Sequence, residues 1–258
     1  MYLNKEMTVQ ALRNMSTFHK DLCTQFNKWD MDFKSNLGRR NVVMSQAQEH
    51  FFAKELKKVF RGVDADGRTG KADIVIGEID RELECKLTSG NRTGSVSYSF
   101  QTDWATLKNK KSVDYLYVLC DEKFESFCVL FFKDLTTEDF YPPASGSRGK
   151  ARMKKSTAMN KAVCLHGDYK IQNESFIAKY QERLSDIVSK KADKLLEVQK
   201  KYFLDTNKKK QKNGYKIAKM RENIEKQFTK NASDITKKIA YWTNADLRYS
   251  FILESLEL

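Results

Sequence analysis

Residues 71–88 read KADIVIGEIDRELECKLT, and this stretch decides what kind of fold the chain can adopt. Residues 71–77 (KADIVIG) and 81–88 (RELECKLT) both look like short strands, and only Glu78, Ile79 and Asp80 separate them. Two such runs at that distance predict a hairpin. Side chains of a strand point alternately to opposite faces, so Glu84 and Lys86 project together while Leu83, Cys85 and Leu87 face the other way. A short turn brings Asp73 beside Glu84. A solvated amphipathic hairpin with Glu82, Glu84 and Lys86 outward is the plainest reading of the second run. It leaves Asp73 unexplained, because an aspartate inside an apolar strand is costly without a partner.

The flanks extend the pattern in both directions. Val9, Leu12, Met15, Leu22, Phe26, Trp29 and Phe33 recur at mostly helical spacing, and residues 36–40, with Gly38, break it. Ser45 is the expected N-cap of a second helix through Phe60, with Phe52, Leu56, Val59 and Phe60 on one face. Gly62 ends it, and residues 63–70, rich in Asp and Gly, read as a loop. Beyond the hairpin, residues 89–94 form another loop, and residues 100–109 look helical, with Phe100, Trp104 and Leu107 in phase. The runs 114–120 (DYLYVLC) and 127–132 (FCVLFF) are continuous and apolar, as expected of buried strands. From residue 45 the order is helix, strand, strand, helix, strand, strand.

Two carboxylates at one spot repel unless a cation lies between them, and hard oxygen ligands suit Mg²⁺. Lys86 beside them would hold or orient a nucleophile near an anionic phosphate. In these residues the chain resembles the PD-(D/E)XK nuclease superfamily, with Ala72-Asp73 in place of the usual Pro-Asp and Glu84-Cys85-Lys86 as the E-x-K element. The resemblance covers about a third of the chain and rests on a short, loose motif in the right strand context. It implies an α/β fold with a restriction-endonuclease-like core, a central mixed β-sheet flanked by helices. Asp73 and Glu84 would be metal ligands, completed by the backbone carbonyl of Cys85, and Lys86 would help activate water for in-line attack on a phosphodiester. Many members add a carboxylate from the preceding helix; the phase of Phe52, Leu56 and Val59 puts Glu49 near the buried side and makes it the candidate. Gln101 matches a frequent helix-borne glutamine of the superfamily. Mg²⁺ is the implied cofactor, with Mn²⁺ able to substitute.

Charge is distributed unevenly. The chain has 258 residues and a formal net charge of +13, yet residues 1–145 carry 21 basic and 21 acidic side chains. The excess lies in residues 146–258, which suggests a polyanion-binding surface there rather than over the whole chain. Both prolines fall at Pro142-Pro143, and SGSRGKARMKKS follows directly, so a boundary is placed near residue 145. That predicts a unit of residues 1–145, with the nuclease core at about 40–145, and a basic helical unit of residues 146–258. Arg148, Lys150, Arg152, Lys154 and Lys155 are candidate DNA contacts on a loop-like segment. From residue 175 helical patterns run through Tyr202 and, after the basic run 207–214, from Ile217 to Ile239. An antiparallel helix hairpin is the simplest arrangement.

Other classes are set aside on composition. The five cysteines form no CxxC pair and the three histidines lie far apart, so no structural zinc site is expected. No stretch approaches the roughly 20 apolar residues that span a bilayer, and the start has no signal-peptide pattern. The expected protein is cytoplasmic, in a bacterium or archaeon or encoded by a phage. The leading expectation is a Mg²⁺-dependent endonuclease cutting double-stranded DNA, most like a Type II restriction enzyme and acting as a homodimer without a membrane. The alternatives are a less specific repair, recombination or phage nuclease on the same core, or a non-catalytic nucleic-acid-binding protein.

Overall fold

The alternation in the decisive stretch becomes a strand pair because one of its faces buries Ile74, Ile76, Leu83 and Cys85. In a computed structural model describing residues 1–66, 72–90, 100–145, 149–204, 210–245 and 247–256, strand β1 (Val63–Asp64) precedes β2 (Ile74–Ile76) and β3 (Arg81–Ser89). The β2–β3 pair is antiparallel, with Ile74 opposite Leu83 and Ile76 opposite Arg81. A single 3₁₀ turn joins them and ends at Asp80, whose φ of 49° lies in the left-handed region that aspartate tolerates better than most residues. The chain continues through β4 (Gln101–Asp103), then β5 (Val113–Cys120) and β6 (Ser126–Leu135). β3 and β5 run parallel while β5 and β6 run antiparallel, so the fold is α/β with a mixed sheet.

Before the sheet come two helices, α1 (Lys5–Asn27) and α2 (Leu37–Leu56). The expected N-cap at Ser45 is corrected: Asn36 caps α2, its side chain accepting from the Arg39 amide at 3.0 Å, and Ser45 lies inside the helix. The expected break at 36–40 is thus the start of the helix, with glycine in its first turn. Leu12, Met15, Met44, Phe52 and Leu56 from these helices pack on Leu83, Cys85, Leu116, Val118 and Phe131 of the sheet. Each such side chain, fully buried, contributes about 1.5–3 kcal/mol. Arg40 is 1% exposed and donates through Nη2 to Ser89 Oγ and the Gly90 carbonyl, which anchors the end of β3.

The opposite face of the sheet is also covered. Tyr115, Tyr117 and Phe132 lie under Phe100 and Phe140. Burial on both faces explains why every residue of β5 is buried and why its sequence does not alternate. Covering that face is a small antiparallel sheet of β4, β7 (Phe140–Tyr141) and β8 (Lys150–Met153). The short helices α3 (Trp104–Lys110) and α4 (Lys155–Ala158) follow β4 and β8. Residues 100–109 were expected to be one helix. The first part is instead β4, and Asp103 caps α3 by accepting from the Thr106 amide.

Strand β9 (Ala162–His166) pairs with β6, so the main sheet continues past residue 145. The boundary expected there is corrected. One unit comprises residues 1–170 and 250–258, and the second comprises residues 171–249. Tyr141-Pro142-Pro143 ends a strand inside the first unit, and the change in composition marks a loop rather than a domain edge. The segment after it was read as loop-like, yet β8 buries Ala151 and Met153 while exposing Lys150 and Arg152. β10 (Asp168–Ile171) pairs with β11 (Tyr249–Ile252), and the division between units falls within this ribbon. β12 (Glu254–Ser255) then joins β6 at Phe127 and Ser126. Between them Gly167, at φ 71°, approaches so closely that a Cβ would sit 2.6 Å from the Ile252 carbonyl oxygen.

The second unit holds α5 (Asn173–Leu204) and α6 (Lys210–Asn244). Asn173 Nδ2 donates to the Trp242 carbonyl, Phe176 stacks on Trp242, and Lys191 pairs with Glu225, so the helices are antiparallel. The basic run 207–214 lies partly outside the described residues. Among the described residues no helix is long and apolar enough to cross a membrane.

Candidate active site

The β2–β3 register carries Asp73 opposite Glu84, one position beyond the Ile74–Leu83 pair. Asp73 Oδ2 accepts from the Cys85 amide at 2.7 Å, which fixes its carboxylate against the neighbouring strand. Lys86 Nζ lies 3.5 Å from Asp73 Oδ2 and 3.3 Å from Glu84 Oε2. Both carboxylates therefore converge on one cation. The side chains of Asp73, Glu84 and Lys86 are 22%, 12% and 35% exposed, so the cluster is half sunk but reachable from solvent.

Asp73, Cys85 and Lys86 line an open cleft of about 370 Å³ together with Ser45, Glu49 and Gln101. The Cys85 side chain is buried on the opposite face, and burial pushes its thiol well above the ordinary value. What Cys85 offers the cleft is its backbone. Glu49 reaches the cleft from α2, where burial, then the charges of Asp73 and Glu84, push its carboxyl up to about 7. Lys86 is pulled two ways: burial disfavours its charged form, but Asp73 and Glu84 outweigh it and raise its pKa. Gln101 lines the same cleft from β4 rather than from a helix, and its carbonyl accepts from the Tyr117 hydroxyl.

Lys110 was not anticipated. From the end of α3 its Nζ bridges Glu84 Oε1 at 3.2 Å and Glu82 Oε2 at 2.9 Å. Nothing in its local sequence marks it, because the contact depends on how α3 crosses between β3 and β5. Gln48 is a second such residue. Buried beneath the site, its Nε2 donates to the carbonyls of Leu116 and, at 3.4 Å, Lys86.

The proposed DNA contacts do not form one cluster. Lys150 and Arg152 face solvent from β8, with the Arg152 guanidinium over the Tyr141 ring. Lys154 also lies over Tyr141, whereas Lys155 turns onto Phe100 and Phe251. Arg148 lies outside the described residues.

Among the described residues no group of three or more His, Cys, Asp or Glu is gathered tightly enough to hold a metal as it stands. The Lys86 ammonium occupies the position between the two carboxylates. The donors around it are oxygen only, which fits Mg²⁺ or Mn²⁺ by chemical type. Asp73, Glu84 and the Cys85 carbonyl could hold such an ion, with Glu49 as a further carboxylate.

The raised Glu49 carboxyl has a measurable consequence. A carboxyl that binds its proton more tightly when folded favours folding at low pH, and that contribution disappears as pH rises from about 4.5 to about 7. Glu49→Gln is therefore expected to be more stable than the parent at pH 8 in chelator, by roughly 1 kcal/mol, because partial hydration screens the full effect. The two should melt alike near pH 5. Equal melting temperatures at pH 8 would show that Glu49 feels no such repulsion. No protein-family model, curated protein or solved structure matches the chain.

Proposed function

We propose that this protein is a Mg²⁺-dependent endonuclease of the PD-(D/E)XK kind, with a restriction-endonuclease-like core, that hydrolyses phosphodiester bonds in double-stranded DNA. One observation carries the reading. Asp73 Oδ2 and Glu84 Oε2, from the two strands of a hairpin, both lie within 3.5 Å of Lys86 Nζ beside an open cleft.

Mg²⁺, when bound, supplies charge neutralisation and polarises a phosphoryl oxygen. Asp73 and Glu84 would hold it through carboxylate oxygens, and the Cys85 amide, donating to Asp73 Oδ2, fixes that carboxylate against β3. Lys110 engages Glu84 Oε1, which leaves Glu84 Oε2 to Lys86. Lys86, at the edge of the cleft, would hydrogen-bond the attacking water and steady the scissile phosphate.

The charge composition suits a polyanion. Residues 171–249 contain 19 basic and 10 acidic side chains, and β8 adds Lys150 and Arg152 to the first unit. A Type II restriction enzyme acting as a cytoplasmic homodimer is the specific form proposed.

A second reading is favoured by the ion pairs themselves. Asp73, Glu84, Lys86 and Lys110 already satisfy one another, as a structural network in a non-catalytic nucleic-acid-binding protein would. Incubating DNA of known sequence with 10-fold steps of Mg²⁺, and in chelator, separates the two. Cleavage confined to the Mg²⁺ samples, with ends mapping to discrete positions, is expected. Intact DNA at every Mg²⁺ and Mn²⁺ concentration, with salt-sensitive binding retained, would sink the nuclease reading.

A further inference from the structure

A second groove, of about 460 Å³, is lined in part by α3. Its lining combines the aromatic and apolar Trp104, Phe140 and Pro142 with Lys108, Lys111 and Lys154. Glu138 is the one acid lining it among the described residues. Trp104, Lys108 and Lys111 recur at spacings of four and three residues, so they lie on one side of the helix. Lys110 falls on another side and reaches Glu84. The Lys108 ammonium sits 5.6 Å from the centre of the Trp104 ring. Lys111, which ends α3, has a φ of 63°, where glycine is the inexpensive choice, yet the residue is a lysine.

We propose that this groove binds an unpaired nucleobase of the nucleic-acid substrate, stacked on Trp104, with the flanking phosphates on Lys108, Lys111 and Lys154. The idea deepens the nuclease reading and rests on it for the identity of the ligand. An indole flanked by cations matches the two parts of a nucleotide, a π-face and an anion, and stacking accepts every base. A paired base keeps both faces inside the helix stack, so the ligand is a base in a single strand or one extruded from a duplex. Position supports the assignment. Gln101, three residues before Trp104, lines the cleft of Asp73 and Lys86. The seven residues of α3 span only about 10 Å, so one strand could occupy both places.

The experiment uses a full-length Trp29→Phe/Trp242→Phe background, in which Trp104 is the remaining tryptophan, kept in chelator so that nothing is cut. Titration with a ten-nucleotide thymidine oligomer is expected to quench Trp104 emission. Trp104→Ala should bind the oligomer about tenfold more weakly, followed by anisotropy of a labelled strand, and Trp104→Phe should retain most of the affinity. Lys108→Ala/Lys111→Ala, exposed changes that spare the core, should reduce the salt slope of binding by roughly 1.4. Unchanged emission, or equal affinity in Trp104→Ala, overturns the proposal. So does a change in emission with protein concentration alone, which would make the groove a contact between copies of the chain. Quenching without Mg²⁺-dependent cleavage would leave this site standing and remove the nuclease reading; cleavage without quenching would do the reverse.

Discussion

Lys86→Ala is expected to lose Mg²⁺-dependent cleavage by about a thousandfold or more while still folding. Removing one positioned proton-transfer or charge-stabilising group costs on the order of 10²–10⁴ in rate, and Lys86 would serve both purposes. Folding should survive because the Lys86 side chain is 35% exposed. The variant also separates the two readings through metal binding. In the parent, the Lys86 ammonium competes for the carboxylates that would hold Mg²⁺. Its removal leaves Asp73 and Glu84 less compensated, so Mg²⁺ should raise the melting temperature of Lys86→Ala more than that of the parent. Asp73→Asn is the complementary change. Its amide oxygen can still accept from the Cys85 N–H, which preserves the strand pairing, but the charge is gone. That variant should lose both cleavage and the thermal response to Mg²⁺. Parental cleavage by Lys86→Ala, or an undiminished Mg²⁺ shift in Asp73→Asn, would contradict the proposed site.

The largest effect on stability is expected at Asp114, which pairs with Leu83 of β3. β5 and β6 shift register between Val113 and Tyr115, which leaves an extra residue on β6. Asp134, in that bulge at φ 54°, has an amide that the ladder does not pair. Asp114 Oδ1 accepts from it at 2.8 Å, while Asp114 Oδ2 accepts from the Tyr2 hydroxyl at 2.8 Å. Arg81 stands 3.8 Å away and bonds Asp134 at 2.6 Å. Asp114 is 2% exposed, so its removal leaves the Asp134 amide and the Tyr2 phenol short of a partner, while Arg81 keeps Asp134. Asp114→Ala should cost about 3–5 kcal/mol in urea unfolding. Tyr2→Phe should cost only about 1 kcal/mol, and the double variant less than the sum, because the two share one bond. Strict additivity would mean that the Tyr2–Asp114 bond contributes nothing.

These two sites differ in how much of them can be read along the chain. Asp73, Glu84 and Lys86 are legible because a hairpin with a short turn leaves little choice of register, and alternation sets their face. The strands at 113–120 and 126–135 are legible because burial on both sides demands unbroken apolar runs. The long helices show their 3.6-residue period plainly. By contrast β9, β11 and β12 are short and mixed in composition, and they become strands only through partners distant in sequence. Residues 148–155 looked like a linker because lysines and arginines at every outward position mask the buried Ala151 and Met153. Gln101 was placed on a helix because Phe100 happens to be in phase with Trp104 and Leu107; the Asp103 cap decides the true start. Lys110 and Asp114 are silent for the same reason. Their roles are set by a parallel crossing and a bulge, neither of which leaves a local pattern.

The place of β12 has a consequence for the order of assembly during synthesis. The strand that covers Ser126 and Phe127 of β6 lies at residues 254–255, after the whole helical unit. A ribosome adding about 5–20 residues per second spends roughly 4–16 s on residues 171–249. Throughout that interval β6 is protected by β9 only from Val129 onward. The nascent chain therefore carries a short stretch of unpaired edge while its most basic segment emerges, and a chain stalled in α5 or α6 would present that edge to its neighbours.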